Sequence, residues 1–118
     1  MKKYYFVGIK GAGMSSLAII LNDLGYEVTG YDGDKRPKFT EENLIAKNIK
    51  IYYDDSYELT DEIVVHMPAI NKEHPEIKRA LEKGLEVLKY NEMLGVLTES
   101  QDTIALQEVM VKHLPLQW

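Results

Sequence analysis

The chain has 118 residues, 45% hydrophobic and 28% charged, with a formal net charge of -5 and no cysteine. That size suits one compact domain, and the balance excludes a disordered or membrane-spanning chain. The acidic charge and the lack of a dense Lys/Arg face argue against nucleic acid, and the missing cysteines remove disulfides, thiolate metal sites and cysteine nucleophiles.

The basic start Met1-Lys2-Lys3 leads into the apolar run Tyr4-Tyr5-Phe6-Val7, a first strand. Gly8 and Lys10 break that run too early for a signal peptide, and no run reaches transmembrane length, so a soluble cytoplasmic protein with no membrane partner is expected. A glycine-rich turn, Gly8 to Ser16, leads into an amphipathic helix over Leu17 to Leu24 that Gly25 stops. Tyr26 to Tyr31 read as a second strand, and Gly33 to Lys38 as a polar loop. Thr40 is the expected cap of a helix reaching about Lys47, with Glu41 and Glu42 in its first turn.

Ile49 to Tyr52 form a short third strand, and Ile63-Val64-Val65-His66 a fourth, apolar enough to be buried on both faces. Pro68 ends it. His74 caps a further helix with Pro75 at its first position, Ile77, Ala80 and Leu81 as its apolar stripe, and Gly84 as its stop. Leu85 to Leu88 make a fifth strand, and Asn91 caps a last helix with the stripe Met93, Val96 and Leu97. Strands alternating with helices over short connections predict an α/β, Rossmann-like three-layer domain: about five parallel strands with helices on both faces.

The turn almost spells Gly-x-Gly-x-x-Gly, with Gly8, Gly11 and Gly13 present and Lys10 at the middle glycine's place. A helix N-terminus behind a glycine turn offers unpaired N–H groups to an anion. Lys10 either adds positive charge for that anion or belongs to a tight turn with no ligand. Asp32, about 20 residues on at the end of the second strand, either accepts hydrogen bonds from a ribose or is a turn residue before Gly33. His66 closes the fourth strand at the carboxyl edge, where it either lines a nucleotide pocket or simply ends the strand.

Tyr52, Tyr53 and Tyr57 read as surface or packing aromatics, and Asp54-Asp55 and Asp61-Glu62 as solvated turn acids. No catalytic constellation appears, and His66, His74 and His113 lack metal-ligand spacing. The residues support binding without chemistry.

Taken in order, the segments Phe6 to Ser15, Leu24 to Asp32, Pro68-Ala69-Ile70 with His74 to Ile77, and Tyr90 to Gly95 resemble the first domain of the Mur ligases over roughly residues 3 to 105. The resemblance implies a Rossmann-like domain at 1–100 that binds the UDP part of UDP-N-acetylmuramate. In the family, a central domain takes ATP and Mg²⁺ and a third takes the amino acid, here implied to be L-alanine; the amide bond forms through an acyl phosphate. It also implies that Gly8, Ile9, Lys10, Gly11, Ala12, Gly13, Met14 and Ser15 hold the diphosphate. Asp32, Tyr31 and the edge His66, Met67, Pro68 and Ala69 would lie near the uridine, Tyr31 standing where serine is common. Alternatives are a family member that recycles the same sugar nucleotide onto a tripeptide, and an NAD-binding Rossmann domain, which Lys10 disfavours.

Residues 101–118 are expected to hold the start of the central domain and then an aberrant tail, so this chain alone should not catalyse ligation. After Ala105 the family pattern calls for an ATP-binding Gly-x-His-Gly-Lys-Thr loop, which the sequence lacks. Joining each codon's third base to the next codon's first two can spell a sequence close to it. Met110-Val111 then forces glycine, while Val109-Met110, Val111-Lys112 and Lys112-His113 permit histidine, lysine and threonine. The expectation is one lost base near the Ala105–Leu106 junction, with Trp118 where the shifted frame stops; the alternative is a natural, unrelated tail. Either way the tail is expected to be disordered or held by chance apolar contacts from Leu114, Leu116 and Trp118. Sequencing the encoding DNA is expected to show codons that spell the loop in the shifted frame; codons that cannot do so overturn the frameshift.

Overall fold

The apolar opening run becomes β1 (Lys3–Val7), the middle of a fully parallel sheet. In the computed structural model, which describes residues 2–98, the chain continues through α1 (Ala12–Asp23), β2 (Glu27–Tyr31), α2 (Phe39–Ala46) and β3 (Lys50–Tyr52). It then adds β4 (Ile63–His66), α3 (Pro75–Glu82), β5 (Val87–Lys89) and α4 (Tyr90–Thr98). The five strands lie in the order β3-β2-β1-β4-β5, the predicted α/β architecture. The expectations placed on residues 101–118 fall outside the described residues. Among those described, no helix is long and apolar enough to cross a membrane.

Successive strand residues point to opposite faces, so β1 feeds two cores. Tyr4 and Phe6 pack with Leu17 and Leu21 of α1, Leu44 of α2 and Met93 and Leu97 of α4. Tyr5 and Val7 pack with Leu59, Val64, Ile77 and Ala80 under α3. β4 sends Val64 to one core and Val65 to the other, which is why its run carries no polar alternation. Helices thus cover both faces, three on one and one on the other.

Several local expectations change. Thr40 lies inside α2, whose cap position is Lys38; its hydroxyl instead donates to the Lys10 carbonyl at 2.7 Å. β5 begins two residues later than predicted, because Leu85 N–H is still bonded to Ala80 O at 3.0 Å and closes α3. Asn91 sits within α4, since β5 runs straight into that helix and the Glu92 carboxylate accepts Lys89 N–H at 2.8 Å. Leu81 and Val96 are 46% and 47% exposed, so both helices bury narrower stripes than expected. His74 does cap α3, its ring accepting Glu76 N–H at 3.1 Å.

Glu62 is not a solvated turn acid but fully buried, accepting Thr60 N–H at 2.7 Å and the Tyr57 hydroxyl. Burial works against its charge, yet these bonds hold its pKa below the usual carboxylate range. Burial and the Glu62 partner push Tyr57 up to about 12. Beside it, Glu76 accepts the Tyr5 hydroxyl and two Arg79 bonds at 2.8 and 3.0 Å, while Arg79 also donates to Tyr57 O at 2.8 Å. The second core is therefore small, and a satisfied polar network ties α3 to β1.

Ile9 begins the glycine turn by packing onto Gly30 of β2, where a Cβ would lie 2.3 Å from Ile9 Cδ1 and 2.7 Å from its Cβ. Gly30→Ala is expected to cost about 1–3 kcal/mol, because the clash involves the root of a buried side chain. Urea unfolding of the variant checks it.

Candidate functional site

The turn is bound to the neighbouring strand before it reaches the helix. Gly8, at φ +88°, donates its N–H to Tyr31 O at 2.8 Å, and Ile9 N–H shares that carbonyl at 3.1 Å. Gly11 N–H returns to Gly8 O at 3.1 Å, and Ser15 N–H to Gly11 O at 2.8 Å opens α1. Gly11 caps the helix without a side-chain bond. Among the described residues, the N–H groups of Ala12, Gly13 and Met14 have no acceptor. Three free donors thus converge at the positive end of a 12-residue helix. They stand where the strand order reverses between β1 and β4, the place where open α/β sheets bind ligands.

Ile9, Met14 and Ser15 bury their side chains, and the Ser15 hydroxyl donates to Ala12 O at 3.0 Å. They shape the turn from below; Gly11, Ala12 and Gly13 are its accessible part.

Lys10 behaves differently from the expectation that its charge serves an anion. Its side chain is 0% exposed, and Nζ donates to Asp34 O and Arg36 O, both at 2.8 Å, and to the Tyr53 hydroxyl at 3.3 Å. An ammonium has three N–H donors, and all three are used. Glu41 Oε1 lies 3.5 Å away. Burial pulls the Lys10 pKa down, but Tyr53 and Glu41 outweigh it and hold it above the ordinary lysine value.

Asp32 is buried at the end of β2, and each of its oxygens holds a different loop. Oδ2 accepts Lys10 N–H at 3.0 Å, Oδ1 accepts Asp34 N–H at 2.8 Å, and its own N–H donates to Tyr52 O at 3.0 Å. Each carboxylate oxygen keeps a second lone pair for a further donor. Tyr31 contributes its carbonyl to the turn, while its ring packs edge-on against His74 at 5.6 Å.

The β4 edge divides in two. Met67 reaches the turn: its Sδ lies 2.7 Å from a Cβ built on Gly8 and 3.5 Å from one on Gly11. His66 and Pro68 line a cavity of about 470 Å³ with Ile70, Asn71, Lys89 and Glu92. His66 Nδ1 lies 2.8 Å from Met67 O, a contact in which the ring N–H donates to the carbonyl. Ala69 is exposed. Because β2 and β4 flank β1, Asp32 and His66 stand on opposite sides of the turn, roughly 10 Å apart at the usual strand spacing.

Four neighbours of the turn were not anticipated. Tyr90 places its hydroxyl 3.1 Å from a Cβ on Gly13, and the convergence of parallel strand ends at one edge would have nominated it. Thr40, Glu41 and Tyr53 reach Lys10 from 30 to 43 residues away, and no local pattern signals them. Among the described residues, no group of three or more His, Asp or Glu side chains could hold a metal ion.

Residues 3–102 match the family described as Mur ligase family, catalytic domain. Over 104 residues the chain is 45% identical to the UDP-N-acetylmuramate–L-alanine ligase of Pediococcus pentosaceus and 50% identical to that of Limosilactobacillus reuteri. Each alignment covers 87% of this chain and 24% of the relative, so the chain spans about a quarter of the length of these curated relatives. The crystal structure of UDP-N-acetylmuramate–alanine ligase from Thermotoga maritima matches with a TM-score of 0.74 at 26% identity, covering 86% of this chain and 24% of that one. The UDP-N-acetylmuramate:L-alanyl-γ-D-glutamyl-meso-diaminopimelate ligase of Neisseria meningitides matches at 0.65 and 25% identity, covering 81% and 31%.

The cluster around Lys10 carries a pH signature. The Tyr53 hydroxyl, then the Lys10 ammonium, hold the Glu41 carboxyl below its ordinary pKa. A depressed carboxylate stabilises the fold above its unfolded value, about 4.3, and that contribution disappears as pH falls through the lower folded value. Glu41→Gln is therefore expected to be less stable than the parent near neutral pH, the difference narrowing below about pH 4. Urea-unfolding free energies of both proteins across that range test it.

Proposed function

The chain belongs to the Mur ligase family, and we propose that this domain seats the uridine diphosphate of UDP-N-acetylmuramate for a UDP-N-acetylmuramate–L-alanine ligase. The observation that carries the reading is the trio of free N–H groups at Ala12, Gly13 and Met14, set beside Asp32 at the strand-order reversal. In this reading those amides donate to the diphosphate, and the helix dipole favours its charge. The remaining lone pairs of Asp32 accept from a ribose hydroxyl. The uridine then lies toward β2, and the rest of the sugar nucleotide crosses β1 toward Met67, Pro68 and Ala69. His66 lines the neighbouring cavity.

The role is binding and delivery. The sequence contains no Gly-x-His-Gly-Lys-Thr loop, and the described residues offer no metal-binding cluster, so no step through ATP or Mg²⁺ is assigned to this domain. Those cofactors belong to the ligation carried out by the whole enzyme, for which the cytoplasm, where nucleotide sugars are available, is the implied compartment. The Neisseria structure favours a second reading, the ligase acting on a peptide. The higher TM-score and the relatives at 42–50% identity support the L-alanine enzyme more strongly.

Calorimetric titration of the 118-residue chain with UDP-N-acetylmuramate, UDP and NADH tests the reading. Both uridine nucleotides are expected to bind and to shift the amide resonances of Ala12, Gly13 and Met14. Binding of NADH but of neither uridine nucleotide overturns it.

A further inference from the structure

The plain assignment for a lysine in a phosphate-holding turn is a phosphate contact. The geometry at Lys10 is arranged against that. Its three donors are spent on Asp34 O, Arg36 O and the Tyr53 hydroxyl, its side chain has no exposed surface, and Glu41 neutralises it from 3.5 Å. Leaving these partners to reach an anion would strand two carbonyls and a buried cation, which is costly. The backbone of the same residue is tied to the end of β2 and to α2: Lys10 N–H to Asp32, and Lys10 O from Thr40.

What Lys10 holds is the segment following the proposed ribose acceptor. Asp34 and Arg36 both present carbonyls to it, and Asp34 N–H is fixed on Asp32 Oδ1 at 2.8 Å. Once the backbone is set, Asp34 grips the Arg36 guanidinium with two bonds of 2.9 Å, leaving that side chain 86% exposed. A guanidinium held flat by a carboxylate and open on its face is a surface on which a planar base stacks. The Asp34 carboxyl is correspondingly held far below its usual range, first by Arg36, so it remains ionised and keeps the fork.

We propose that Lys10 is a positioning residue for the nucleoside: its buried ammonium pins the Asp34–Arg36 backbone beside Asp32, presenting Arg36 to the base, and makes no contact with the diphosphate. This rests on the uridine diphosphate reading and deepens it, turning the residue that departs from the glycine pattern into a determinant of base recognition. The phosphates are left to the amides of Ala12, Gly13 and Met14.

The test compares UDP with inorganic pyrophosphate, which shares the anion and lacks the nucleoside, by titration of the 118-residue chain followed by amide NMR. In Lys10→Met the loop loses its anchor and must be ordered on binding, so UDP is expected to weaken about tenfold while pyrophosphate stays within about twofold. Amide hydrogen exchange at residues 33–38 should accelerate in the unliganded variant. Tyr53→Phe, which keeps the ammonium and both carbonyl bonds, should show the same selectivity in smaller measure, and decides the matter if Lys10→Met fails to fold. Equal weakening of UDP and pyrophosphate makes Lys10 a phosphate ligand and overturns the inference alone. Unchanged UDP affinity with unchanged exchange overturns it too. A parent chain that binds neither UDP nor pyrophosphate removes the functional reading and this inference together.

Discussion

Everything at this sheet edge depends on one buried carboxylate. Asp32 accepts from Lys10 N–H with one oxygen and from Asp34 N–H with the other. It thereby joins the turn after β1 to the loop after β2, beside the bonds that Gly8 and Ile9 N–H make to the Tyr31 carbonyl at the end of β2. Lys10 closes the circuit from the other side, its ammonium on Asp34 O and Arg36 O. Each group answers a donor or acceptor that would be orphaned without the other. That mutual satisfaction lets a lysine be buried where the glycine pattern has no side chain. The consequence is a turn whose free amides are held in place before any ligand arrives.

The second core is built on the same logic at lower hydrophobic content. One helix, α3, covers that face, and its apolar contribution is Ile77 and Ala80. What ties it to β1 is the Tyr5–Glu76–Arg79 group, continued through Tyr57 to Glu62. A face so thinly covered by apolar residues gains specificity from polar partners that admit one arrangement. The arrangement matters for the site because α3 follows the Met67–Ile70 segment that leans on the turn.

The architecture was legible because β1 and β4 are apolar runs closed by Gly8 and, one residue further on, by Pro68, and because helical stripes alternate with the strands. Ile63–His66 was read to the residue, and His74-Pro75 announced the start of α3. Boundaries slipped where tertiary bonds compete with local signals. Thr40 has the chemistry of a cap, but its hydroxyl is drawn to Lys10 O; Leu85 has the chemistry of a strand, but its N–H is claimed by Ala80. The pairing of the glycine turn with Asp32 was legible because their spacing is short and rule-bound, and Lys10 N–H does meet the Asp32 carboxylate. The burial of Lys10 and Glu62 was not, since the charge of a side chain says nothing about which distant carbonyls, hydroxyls or amides will meet it.

The glycines of the turn acquire a second purpose from this packing. A Cβ on Gly8 would strike the Met67 sulfur at 2.7 Å, and one on Gly13 would crowd the Tyr90 hydroxyl at 3.1 Å. The absent side chains therefore make room for Met67 and Tyr90, which follow β4 and β5. Parallel strands deliver all their carboxyl ends to one edge, where Gly8 and Gly13 sit against the residues that follow β4 and β5. The Lys10 side chain is directed instead to the loop after β2, ending on Asp34 O, Arg36 O and the Tyr53 hydroxyl. A glycine-rich turn with one lysine is thus compatible with close packing on one side and a long buried strut on the other.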